Sequence, residues 1–193
     1  EEELREIEAR REQWEGASWQ LRQCWLKAVH AFVGRPVAPD ANGTLRVSFG
    51  HVMGYTPHDA VVMMPQTRLA GMIEKVTGHE PFAVPDTVRV AAAQAAKTPW
   101  IDPRLSDVPV AFLADLDTTG GNSGSPVLNS RGELVGLNYD RVWENVANDF
   151  GYSAEVNRNI SLDIRFVLWY LDAVEGARAR PILVELGGAG AVR

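Results

Sequence analysis

Cysteine is nearly missing from this chain: Cys24 stands alone among 193 residues, so neither an intrachain disulfide nor a cysteine metal cluster can form. No other motif asks for a metal or a cofactor. Basic excess is missing too, since 19 Lys plus Arg against 25 Asp plus Glu give a net charge of −6. No stretch interleaves basic residues with aromatics, which argues against a nucleic-acid groove. No apolar run approaches the ~18 to 20 residues that span a bilayer. The opening EEELREIEARREQ is the reverse of a basic, apolar signal peptide and has no initiator methionine. The expectation is therefore an internal piece of a longer chain that begins inside a helix. What is present, 46% hydrophobic residues, suffices for one sizeable domain plus an appendage.

From Glu1 to Phe32, Leu4, Ile7, Trp14, Leu21, Trp25, Ala28 and Phe32 recur at steps of three, four or seven, with Glu1/Arg5 and Glu6/Arg10 as i,i+4 pairs. This predicts a long amphipathic helix, with Gly16 as a candidate break, whose seam packs on other helices. A Pro- and Gly-rich loop, Gly34 to Asn42, leads into the alternation Leu45, Val47, Phe49, which reads as a half-buried strand. A short helix is expected over Arg68 to Thr77, capped by Thr67 and ended by Gly78, and another from near Pro85 to about Ala96. Strands follow at Val108 to Ala114, Ser125 to Leu128 and Leu134 to Tyr139, the last two joined by the hairpin residues Asn129-Ser130-Arg131-Gly132. A last strand, Ile160 to Leu162, precedes a helix capped by Asp163. The Gly-Gly-Ala-Gly stretch near the end should be disordered.

The chemistry gathers at Gly121-Asn122-Ser123-Gly124-Ser125-Pro126, which resembles the Gly-Asp-Ser-Gly-Gly-Pro of chymotrypsin-like peptidases, with Ser123 in the nucleophile's place. Glycines allow backbone angles that a Cβ would block, so the amides of Gly121 and Ser123 can both point at a developing oxyanion. Each such donor is typically worth about 3 kcal/mol in the transition state. A Gly/Asn/Ser hairpin loop without catalytic role is the plain alternative, and the strand, hairpin and strand around the motif weigh against it. Ser125 is a poor rival, because Ser123 would then stand where the glycine belongs.

A nucleophilic serine needs a base, and histidine is scarce. His30 lies in the first helix, His79 follows a helix end, and His58 precedes Asp59 in a turn; His51, at a strand end, is the one remaining candidate. In the chymotrypsin architecture the base and its carboxylate come from a first barrel, which needs roughly 70 to 100 residues. No such room exists between the opening helix and the serine, so both groups are expected outside this chain.

The longer pattern from Asp117 to Trp143, with Ile160-Ser161-Leu162-Asp163-Ile164-Arg165-Phe166-Val167-Leu168 and Pro39-Asp40-Ala41-Asn42, resembles the C-terminal part of the bacterial dipeptidyl-peptidase 7 and 11 family. The match covers roughly residues 39 to 175, and its motifs fall in the family's order. The resemblance implies a mainly β fold with helices (α+β), in which residues 1–38 end an inserted helical domain. Residues 39–178 would form the C-terminal barrel of a chymotrypsin-like double barrel, carrying the nucleophile and a C-terminal helix, and 179–193 a partly disordered tail. It implies a serine exopeptidase that removes dipeptides from free N-termini, with the triad histidine and aspartate on an N-terminal catalytic part that this sequence lacks. Asp140 matches the aspartate that helps hold the substrate's α-ammonium. Arg141 matches the position where glycine goes with apolar P1 residues and arginine with Asp or Glu, which places this chain nearest the Asp/Glu-specific subtype. An arginine there can make two parallel charge-assisted bonds to a carboxylate, which an apolar P1 cannot accept.

One spacing points the other way, because Asp117 lies six residues before Ser123, where trypsin-like enzymes keep the acid that selects Lys or Arg. The family resembled carries an acid there whatever its preference, so Arg141 ranks above Asp117. The fragment alone is expected to be nearly inert, since losing a triad histidine removes about 10⁶ of rate. By resemblance the whole protein is a homodimer in the periplasm or at the cell surface. Two alternatives stay open: a glutamyl endopeptidase of the same fold, and a non-catalytic peptidase-like binding module.

Overall fold

The computed structural model of the protein describes residues 2–34, 45–149 and 151–186. The chain divides into two units, residues 1–46 and 47–193. Among its described residues the first holds one helix, α1 (Glu2–Val33), which runs through Gly16 without a break. No residue of α1 is buried, and Trp14, Trp19 and Trp25 are each more than half exposed. No helix among the described residues is long and apolar enough to cross a membrane. The Pro39 to Asn42 motif, most of the loop before it and the Gly-rich end lie outside the described residues.

The second unit is α+β. Its larger sheet is antiparallel, in the order β3 (Gln66–Arg68), β4 (Pro109–Ala114), β7 (Asn159–Asp163), β6 (Leu134–Arg141), β5 (Pro126–Leu128). A hairpin of β1 (Tyr55–His58) and β2 (Val61–Met63) stands apart from it. The expected closed barrel does not form among the described residues. Both edge strands, β3 and β5, are three residues long and pair on one side only, and closure needs edges long enough to reach each other.

Helix α2 (Leu69–Glu74) packs on β3 and β4, α4 (Ile164–Trp169) on β4, β6 and β7, and α3 (Asp86–Ala92) on α2. The core there is Leu69, Val88, Ala95, Trp100, Val108 and Trp169, with Val108 and Trp169 fully buried. Asp163 caps α4 as expected, its carboxylate accepting the Arg165 amide at 3.0 Å. The cap of α2 differs: Thr67 belongs to β3, where its hydroxyl accepts the Ala111 amide at 3.2 Å. The first turn of α2 is satisfied instead by the Asp107 carboxylate on the Ala70 amide and the Val108 carbonyl on the Leu69 amide, both at 2.9 Å. The helix stops at Glu74, capped at Lys75 rather than near Gly78. The helix expected to reach Ala96 ends at Ala92 and resumes as a 3₁₀ turn, Ala95–Lys97. Beyond α4, a short helix α5 (Arg180–Glu185) buries Leu183.

The predicted strand at Leu45 to Phe49 is not one. Leu45 and Phe49 are 93% and 91% exposed, so no second layer rewards their alternation. The chain beyond them still follows β4, but through side chains as much as through a ladder. The Ser48 hydroxyl donates to the Asp117 carbonyl at 2.6 Å, and the His51 amide donates to the Asp115 carboxylate. Only Val52, opposite Ala114, makes a β-bridge.

Strand β7 inverts the usual alternation: Asn159, Ser161 and Asp163 are the buried positions, while Ile160 and Leu162 are half-exposed. Buried polar side chains need hydrogen-bond partners: Asn159 Nδ2 donates to Asn138 of β6, the strand that carries half of the candidate site, and to Ser161 Oγ, while the Asp163 carboxylate accepts from Arg165. β6 approaches closely at Gly136, where a Cβ would lie 2.6 Å from the Leu162 carbonyl and 2.7 Å from the Phe112 ring.

Candidate active site

The serine lies in the loop between β4 and β5. Gly121 and Gly124 flank it with φ of 96° and 84°, a region that side chains with a Cβ disfavour. The loop closes on itself: the Thr119 amide donates to Asn122 Oδ1 at 2.8 Å, and the Ser125 amide to the Asn122 carbonyl at 3.0 Å. It is also tied to β6 through Asn138. The Gly124 amide donates to the Asn138 carbonyl at 2.7 Å, the Asn138 amide to the Ser125 carbonyl at 2.9 Å, and Asn138 Nδ2 to the Asn122 carbonyl at 3.0 Å. Ser123 is exposed, and its hydroxyl donates to the Tyr139 carbonyl at 3.2 Å. Among the described residues the backbone amides of Gly121 and Ser123 have no hydrogen-bond acceptor.

β6 supplies the opposite wall. Between Asn138, opposite Ser161, and Asp140, opposite Ile160, it carries one residue more than β7, so Tyr139 is an extra residue in a bulge. The bulge breaks the two-residue period, leaving Asn138 buried and Tyr139 and Asp140 exposed. Asp140 Oδ1 accepts the Arg141 amide at 2.8 Å. Burial, with the Asp140 charge adding to it, raises the Tyr139 phenol above its ordinary value.

Ser123, Asn138, Tyr139, Asp140 and Arg141 line one pocket of about 100 Å³, together with residues 118 to 120. Three of the four sequence-predicted site residues thus meet at one cavity, and the fourth, Gly121, adjoins its 118–120 wall. Asp117 is not part of the lining; its carboxylate accepts Asn148 Nδ2 at 2.8 Å, and the same amide reaches the Thr118 carbonyl at 3.1 Å. His30, His51, His58 and His79 are all exposed, and none bonds to Ser123 among the described residues. His51 lies in an irregular segment rather than at a strand end. No cluster of metal-ligating side chains occurs among the described residues.

Asn122, Asn138 and Asn148 escaped the reading of the sequence. The Asn122 amide closes the loop over three residues, whereas those of Asn138 and Asn148 reach partners 16 to 31 positions away at the loop and the pocket wall, and no local pattern announces such long contacts. The one available signal was the density of asparagine around an otherwise apolar pair of strands.

Taken by class, this is an α+β protein of antiparallel sheet that presents a glycine-flanked serine at a small pocket, in a loop where two backbone amides have no acceptor among the described residues. The peptidase S46 family model matches residues 1–187, and the chain belongs to that family. It is 42% identical over 163 residues to an Asp/Glu-specific dipeptidyl-peptidase of Shewanella putrefaciens, covering 74% of this chain and 22% of the relative. It is 46% identical over 140 residues to an Asp/Glu-specific dipeptidyl-peptidase of Porphyromonas gingivalis, covering 72% and 19%. Among solved structures, Porphyromonas endodontalis DPP11 in complex with the dipeptide Arg-Glu superposes with a TM-score of 0.75 at 38% identity, covering 83% of this chain and 23% of that one. The chain therefore spans about a fifth to a quarter of the length of the relatives it matches.

Proposed function

We propose that this chain carries the nucleophile side of a serine exopeptidase that releases dipeptides from free N-termini and prefers Asp or Glu at P1. Ser123 attacks the second carbonyl of the substrate, and the amides of Gly121 and Ser123 receive the oxyanion. The histidine that takes the serine proton, and the aspartate that orients it, come from a part of the protein outside this chain. Asp140 takes the substrate's α-ammonium, and Arg141 takes the P1 carboxylate. What carries the reading is one juxtaposition: a serine with two unengaged amides in its loop shares a pocket with one acidic and one basic residue, in a chain similar to Asp/Glu-specific dipeptidyl-peptidases. The same reading gives a homodimer in the periplasm or at the cell surface, which light scattering and cell fractionation would test.

The test compares two peptides on the full-length protein, identical except that one has a free and the other a blocked α-amine. The proposal expects a dipeptide to be released from the free one alone. Equal cleavage of both favours an endopeptidase, and cleavage of neither favours a binding module.

A further inference from the structure

Asn138 contributes to this site in a way the reaction as described does not use. The Asn122 carbonyl can only accept, and it takes the Ser125 amide at 3.0 Å and Asn138 Nδ2 at 3.0 Å. That fixes which end of the Asn138 amide points at the loop, and its Oδ1 must then meet a donor. The donor is Asn159 Nδ2 at 2.9 Å, whose second proton goes to Ser161 Oγ, also at 2.9 Å. Asn138, Asn159 and Ser161 are at most 6% exposed, so water does not compete and the direction of the relay is set. The peptide joining Asn122 to Ser123 is planar and trans, with its N–H opposed to its carbonyl. Holding the carbonyl on Asn138 therefore holds the Ser123 N–H pointing the other way, where no group among the described residues accepts it.

We infer that Asn138 is a positioning residue that, oriented by Asn159 and Ser161, aims the Ser123 amide at the oxyanion. This rests on the proposed role of Ser123. Asn138→Asp keeps the shape and can still accept from Asn159, but it sets a carboxylate oxygen against the Asn122 carbonyl and favours rotation of the peptide. Removing one oxyanion donor costs about 10²- to 10³-fold in kcat, so misaiming one should cost about 10- to 100-fold.

The experiment uses the full-length enzyme and measures kcat and KM on a free-amine dipeptidyl substrate, inhibition by a dipeptidyl aldehyde, and inhibition by the product dipeptide. The expected pattern for Asn138→Asp is a lower kcat, aldehyde affinity weakened by a similar factor, and KM and product affinity nearly unchanged. Asn159→Ala should give the same pattern with a smaller loss, and Asn138→Ser serves if the aspartate variant does not fold. Unchanged kcat, or loss of kcat, product affinity and melting temperature together, would overturn the inference. Ser123→Ala separates the two levels. If it keeps activity, the proposed function itself fails; if it is inactive while Asn138→Asp keeps its kcat, only the aiming role fails.

Discussion

Replacing Arg141 by glycine in the full-length enzyme should remove the preference for acidic P1 residues while leaving the acyl-transfer machinery in place. Arg141 is half-buried at the end of β6, on the wall of a pocket of about 100 Å³ that also holds Ser123. A guanidinium there can give a P1 carboxylate two parallel charge-assisted bonds, each typically worth about 1.5–3 kcal/mol. Because the side chain is not fully withdrawn from water, the pair is screened, and about 3 kcal/mol together is the fitting magnitude. At 1.4 kcal/mol per tenfold, that is a loss of about 10² in kcat/KM for Glu at P1. Leu at P1 should gain, since the apolar side chain no longer has to desolvate a guanidinium to which it gives no hydrogen bond. Arg141→Lys keeps the charge but not the planar fork and should fall between. The assay is kcat/KM for paired substrates differing only in Glu or Leu at P1. A Glu-to-Leu ratio unchanged in Arg141→Gly would refute the reasoning, and a ratio that instead moved in Asp117→Asn would return selection to the residue six places before the serine.

Gly136→Ala should destabilise the second unit by about 1–3 kcal/mol in urea unfolding, because the new methyl meets the Phe112 ring and the Leu162 carbonyl at once. The Asp102 carboxyl, 2% exposed, is held well below the usual carboxylate range by its bonds to Arg104 and then Arg165. Its contribution to stability is full above its ordinary value and is lost as pH falls toward the depressed one, so Asp102→Asn should flatten the acid limb of a plot of stability against pH. Burial, and then the bond to Glu144, push the Tyr55 phenol up to about 12. That contribution is full below the ordinary tyrosine value of ~10 and is lost as pH rises through about 12, and Tyr55→Phe should remove this alkaline loss in the same measurement.

The sequence made legible whatever depended on local rules. Strands β4 to β7 appear where apolar runs are bounded by turn residues, and Asp163 caps α4 because an acid precedes an apolar helical face. Ser123, Asp140 and Arg141 were singled out through a short motif and its resemblance, and they line one pocket. What stayed hidden depended on the third dimension. Thr67 looks like a helix cap, yet its hydroxyl is spent on β4, and the capping carboxylate comes from Asp107, 37 residues away from Ala70. Leu45 to Phe49 has the period of a strand, but periodicity selects a strand only where a neighbour covers one face. The bulge at Tyr139 is invisible because it is a relation between β6 and β7, and it decides that Asn138 turns inward while Asp140 reaches the pocket. β7 reads as apolar through Ile160 and Leu162, whereas its buried face is the polar one that steadies the serine loop.

On the proposed function, the hydroxyl of Ser123 is an activated nucleophile once the rest of the protein supplies its base. Treating the full-length protein with a labelled fluorophosphonate and mapping the modified peptide by mass spectrometry tests it most directly. One adduct is expected, on Ser123, and it should be lost when an acidic dipeptide product fills the pocket. Label on another residue, or none while a control serine hydrolase in the same tube reacts, would contradict it.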